Sequence, residues 1–107
     1  MASIGAMGDL LKQAQEMQSR MAKIQEELAN KTVQGSAGGG MVHVTVNGQF
    51  NIMAVQLETS VVNPAEKEML EDLILAAVND GMRKARELAS SEMSKLTGGL
   101  KIPGLMP

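Results

Sequence analysis

The chain predicts an α+β fold of order α-β-β-β-α, and three observations predict it. Apolar residues recur with helical spacing from Leu10 to Leu28, strictly alternating residues lead into Asn47-Gly48, and a second, broader helical stripe runs from Leu70 to Leu88. A period near 3.6 marks a helix and a period of 2 marks a strand with one face on a core. The 107 residues suit one domain, and a domain of that size buries only a modest core. Long helices on it leave apolar surface for a second subunit.

The first helix is expected over 9–31, with Asp9 in position to cap it. Leu10, Ala14, Met17, Met21, Ile24 and Leu28 alternate steps of four and three, the narrow seam of a helix that packs on another helix. Glu16–Arg20 and Glu27–Lys31 are i,i+4 pairs in the favourable order. The partner of the seam is either the chain's own second helix or a second subunit. Met17, Met21 and Ile24 are its candidate interface residues.

Strands are expected within 32–58. Thr32-Val33-Gln34 reads as a short strand, followed by the turn Gly35-Ser36-Ala37-Gly38-Gly39-Gly40. In Met41-Val42-His43-Val44-Thr45-Val46 the valines share one face, and Asn47-Gly48 is the composition of a two-residue hairpin turn. The returning strand, Phe50 to Glu58, places Met53, Val55 and Leu57 on one face. The middle of the chain is therefore a three-stranded antiparallel meander between two long helices.

The second helix is expected over 64–97. Asn63 caps it, Pro64 suits its first position and Glu66 completes a capping box. Ala77, Gly81 and Ala85 lie in the middle of its apolar stripe, where another backbone could approach closely. They are further candidates for a subunit interface. At 1.5 Å per residue the helix is ~50 Å long, so its C-terminal end is expected to project from the domain or lie on a partner. Leu100 to Pro107 is expected to form a loose tail.

Composition narrows the chemistry. Cysteine is absent, so disulfides, thiolate nucleophiles and cysteine zinc sites are excluded, in keeping with a reducing cytoplasm. His43 is the only histidine; it alternates with valines and is expected on the outer sheet face or at an interface, not in a metal site. Gly38-Gly39-Gly40 precedes a strand and lacks a following Gly-Lys-Ser/Thr, so it reads as a loop needing positive φ rather than a phosphate loop. Glu66, Glu68, Glu71 and Asp72 crowd the start of the second helix, where they complement its dipole. No catalytic set, cofactor site or metal site is expected, and no run of ~20 apolar residues is present to span a membrane.

The charge is uneven. The net charge is −2 and the isoelectric point about 5.3, yet residues 63–80 carry −4 and residues 81–107 carry +3. Arg83, Lys84, Arg86 and Lys95 form a late basic cluster, and Lys12, Arg20 and Lys23 lie on the first helix. Such groups either complete helix dipoles or contact phosphates. Phe50 is the only aromatic residue, which disfavours stacking of unpaired bases and leaves duplex backbone contact as the mode of any nucleic-acid binding. A protein–protein adaptor, using the seam and the small-residue stripe, is the alternative the acidic balance favours.

Leu10-Leu11-Lys12-Gln13-Ala14-Gln15-Glu16-Met17-Gln18, Gly38-Gly39-Gly40-Met41-Val42, Val44-Thr45-Val46-Asn47-Gly48 and Glu68-Met69-Leu70-Glu71-Asp72-Leu73-Ile74-Leu75-Ala76-Ala77-Val78-Asn79-Asp80 resemble the YbaB/EbfC family of bacterial nucleoid-associated proteins. The likeness covers nearly the whole chain. It implies a YbaB-like domain over 1–99 with a tail over 100–107, and an intertwined homodimer whose helices project like tweezers. It also implies binding of double-stranded DNA with little sequence preference in the nucleoid, and roles in nucleoid organisation and gene regulation. It supplies no catalytic motif; the candidate DNA contacts rest on charge alone.

Overall fold

A computed structural model describes residues 3–96. The expected tail, 100–107, and the expected end of the second helix at 97 lie outside them. The order is α1 (Ser3–Asn30), β1 (Thr32–Ala37), β2 (Val42–Asn47), β3 (Ile52–Leu57), two 3-10 turns (Thr59–Val61 and Pro64–Glu66) and α2 (Lys67–Leu96). The sheet has the order β1-β2-β3, antiparallel throughout. No helix among the described residues is long and apolar enough to cross a membrane.

The helix α1 begins at Ser3, not near residue 9, so Asp9 lies inside it and caps nothing. Gly5 and Gly8 weaken this stretch, but no proline interrupts it, and each added residue gains a backbone hydrogen bond. Ile24 and Leu28 are buried, whereas residues 5–23 are exposed on every side, so most of α1 stands away from the sheet. The Cα radius of gyration, 20.7 Å, exceeds the ~13 Å of a compact chain of this length.

Asn47-Gly48 opens a hairpin, but not the two-residue turn expected. Asn47 closes a three-residue loop against Asn51 (N to O, 2.9 Å), and the positive φ falls on Phe50, at 66°, the arrangement of a type I turn followed by a left-handed residue. Gly48 serves a different need. Its N–H donates to Leu28 O (2.8 Å) and Lys31 O (3.0 Å), and a Cβ there would sit 2.8 Å from Leu28 O. The Asn47 amide donates to Ala29 O (3.3 Å) and the Gln49 amide to Gln25 O (2.9 Å). The bonds to Leu28 O and Ala29 O thus satisfy carbonyls that the C-terminus of α1 would leave unpaired. Gly38, Gly39 and Gly40 do all have positive φ, as the loop reading required.

Val42, Val44 and Val46 are fully buried and form the core with Val61, Ala77 and Ala85. The first strand extends to Ala37 rather than stopping at Gln34, because Gly35 lies close against α2. A register shift between Thr45 and Val46 sets Ile52 opposite Val46, so Met53 falls in the irregularity instead of continuing the row of Val55 and Leu57. The side chain of Asn63 accepts from Ala65 N (3.0 Å) and starts a 3-10 turn that leads into α2 at Lys67. Among the described residues, Glu66 does not return the reciprocal capping-box bond.

Candidate nucleic-acid interface

The helix α2 packs across β1 and β2 and leaves β3 to one side. Ala77, Gly81 and Ala85 lie in the chain's own core, and the backbone of Gly35 in β1 approaches Ala77 and Gly81. On α1 the other interface candidates divide: Ile24 is buried, while Met17 and Met21 are exposed.

The cations also divide. Arg83 donates to Asp80 Oδ1 (3.0 Å) and Glu87 Oε1 (2.7 Å). Lys84 pairs with Asp80 Oδ2 (3.1 Å) and donates to Gln34 O (3.0 Å). Lys95 pairs with Glu92 (3.1 Å). Lys12, Arg20, Lys23 and Arg86 are exposed and have no carboxylate partner among the described residues. Three of the four late cations are thus matched within the chain, and the unmatched set lies mainly on α1.

Asp80 holds an edge as well as a charge. It accepts from Ser36 N (3.0 Å), so Asp80 and Lys84 together occupy the outer edge of β1. The Ser36 N–H, with Lys84 and Arg83 adding to it, pushes the Asp80 carboxyl down to about 2. A group depressed in the folded state contributes stability that is full above its unfolded value and is lost as pH falls through its folded value. Acidification from about pH 4 to about pH 2 is therefore expected to lower the urea midpoint of the native chain. Asp80→Asn keeps an acceptor for Ser36 N and should lower it less over that window. Equal pH dependence of the two would show that Asp80 contributes nothing through its charge.

Glu92 was not legible as a site residue. It is 3 % exposed and accepts from both Lys31 of α1's trailing end and Lys95, and the Lys31 ammonium, followed by that of Lys95, holds its carboxyl below the usual value. The i,i+3 spacing to Lys95 is visible in the sequence; the bond to Lys31, 61 positions away, has no local signal. Beyond it, Arg20, Lys23, Ile24 and Glu27 of α1 and Lys95 and Leu96 of α2 line a crevice of about 170 Å³. His43 faces away from α2, with its Nδ1 buried and unpartnered. Among the described residues no three His, Cys, Asp or Glu side chains are placed to hold a metal ion.

The apolar surface is concentrated in two places. Ile52, Met53, Val55 and Leu57 of β3 are 38–59 % exposed, although Val55 and Leu57 stand opposite the fully buried Val44 and Val42. Leu10, Leu11, Met17 and Met21 are exposed along α1.

The family model for the YbaB/EbfC DNA-binding family matches residues 4–100. A nucleoid-associated protein of Desulfotalea psychrophila is 55 % identical over 96 residues, covering 90 % of this chain and 91 % of that one. One from Syntrophobacter fumaroxidans is 56 % identical over 95 residues, covering 89 % and 86 %. A crystal structure of an uncharacterized protein from Helicobacter pylori shares the fold with a TM-score of 0.71 at 25 % identity, over 86 % of this chain and 94 % of that one. A family match over residues 4–100, with this extent of sequence identity and a shared fold, shows that the chain belongs to the YbaB/EbfC DNA-binding family.

Proposed function

We propose that this chain binds double-stranded DNA as a homodimer, with little sequence preference and mainly through phosphates, in the cytoplasm at the nucleoid, and so contributes to nucleoid organisation and gene regulation. It acts by binding and not by catalysis; the family is one of DNA binders, not of enzymes. The observation that carries the reading is the set of unmatched, exposed cations Lys12, Arg20, Lys23 and Arg86. A cation without an internal partner gains most from a phosphate. Arg83, Lys84 and Lys95 must exchange a carboxylate for it and contribute less. Phosphate contacts position a protein without reading bases, and the only aromatic side chain, Phe50, sits in a turn.

The dimer is supported by the uncovered apolar face of β3, since exposed contiguous apolar surface marks an interaction site. Fluorescence anisotropy of a labelled random-sequence duplex, titrated with the full chain at several salt concentrations, tests the reading. Log K is expected to fall linearly with log salt, with a slope near −0.9 for each phosphate contacted, so four cations give at most roughly −3.6 per protomer, the value for one phosphate each. Absence of binding at low salt would overturn it.

A further inference from the structure

The chain of α2 runs antiparallel to α1 where the two meet. Glu92 reaches Lys31, just past the end of α1, and three and four residues later Lys95 and Leu96 lie beside Arg20, Lys23, Ile24 and Glu27. The crevice between them holds three cations against one carboxylate, with the aliphatic side chains of Ile24 and Leu96 among them. Arg20 and Lys23 have no carboxylate partner among the described residues. The nearby Glu92 is buried and shared between two lysines, so it does not cancel the positive balance. The concavity at the start of α2, lined by Glu66, Lys67 and Glu68, has the opposite sign.

We infer that this crevice seats one phosphodiester of the duplex backbone, the phosphate held mainly by Arg20 and Lys23, with Lys95, which keeps its pair with Glu92, adding less, and the deoxyribose resting on Ile24 and Leu96. Phosphate oxygens accept charge-assisted hydrogen bonds from guanidinium and ammonium groups. The C–H face of the sugar matches the aliphatic lining. The inference rests on the duplex-binding reading and deepens it, by assigning separate roles to the two kinds of residue. The cations release counterions and set the salt dependence; the aliphatic pair adds affinity that salt does not change.

The test uses the full chain and two variants, Arg20→Gln/Lys23→Gln and Leu96→Gln, with the labelled random-sequence duplex at several salt concentrations. Circular dichroism confirms that each variant is folded. The double variant is expected to bind about 10-fold more weakly at low salt, with the salt slope reduced by about 1 per protomer, the share of one phosphate. Leu96→Gln is expected to weaken binding about three-fold with the slope unchanged. Inorganic phosphate should shift the Ile24 and Leu96 methyl resonances of the native chain and not those of the double variant. If the native chain binds duplex and the double variant matches it in affinity and slope, the crevice assignment is overturned while duplex binding stands. If the native chain binds no duplex, both fall. If Leu96→Gln changes the slope as much as the double variant does, the division of roles is wrong.

Discussion

Gly35→Ala is expected to be the most damaging single-methyl change in the chain. Gly35 sits in β1 opposite Val44, on the face that meets α2. A Cβ there would fall on Ala77 O and Gly81 N and 2.6 Å from Gly81 Cα. These are backbone atoms of a helix, so no rotamer change relieves the overlap; α2 must move off the sheet. The loss is expected to exceed about 3 kcal/mol, the upper end of the usual cost of overpacking, and to show as a large fall in the urea midpoint or as loss of cooperative unfolding. Two comparisons give the result meaning. At Gly81 a Cβ would meet a side chain, Val46 Cγ2 at 2.9 Å, so Gly81→Ala should cost less. At Gly39 it would meet nothing within 4 Å, but φ is +67°, so Gly39→Ala should cost only about 1–2 kcal/mol of backbone strain. A native-like midpoint for Gly35→Ala would show that α2 does not lie against β1 as described.

Val55→Lys is expected to convert the proposed dimer into a monomer without unfolding the chain. Val55 is 49 % exposed within one chain, so a lysine there remains hydrated and the circular dichroism should not change. Burying that ammonium in a subunit interface, with no carboxylate on β3 to pair it, carries a heavy desolvation penalty. Sedimentation should show dimer dissociation strengthened about 100-fold or more. Duplex affinity should fall with it, because two linked sets of cations bind with avidity that one set lacks. The two edges of the sheet motivate the choice of β3. Asp80 and Lys84 occupy the outer edge of β1, in the manner of charged groups that protect an edge from pairing. The strand β3 carries Ile52, Met53, Val55 and Leu57, all exposed. A variant that sediments as a dimer, as the native chain is expected to, would move the interface elsewhere, with Met17 and Met21 of α1 as the next surface to test.

The order of elements was legible because it depends on neighbours in the chain. Alternation placed Val42, Val44 and Val46 on one buried face, and Asn63-Pro64 marked the start of the second helix. Where local reading failed, a distant group had intervened. Spacing alone makes Gly48 a turn residue, yet its role is to let the hairpin close onto the end of α1 at Leu28 and on Lys31 just beyond it. Alternation groups Met53 with Val55 and Leu57, but pairing with β2 breaks the row. Asp9 has the chemistry of a cap, and the helix passes through it.

The candidate site follows the same division. The seven cations were named from charge alone, and the i,i+3 and i,i+4 carboxylates that match Arg83, Lys84 and Lys95 were visible in the sequence beside them. The bonds from Asp80 to Ser36 and from Glu92 to Lys31 were not visible, because they join residues 44 and 61 positions apart. Local sequence determined the helix–meander–helix order, the absence of cysteine and of base-stacking aromatics, and the family likeness, since each is a property of residue type and spacing. Tertiary structure alone decided that β1's Gly35 lies against the small residues of α2, that β3 keeps its apolar face uncovered, and that Glu92 is committed to Lys31. Those outcomes depend on which surfaces meet once the helices have packed across the sheet, and no local spacing encodes that.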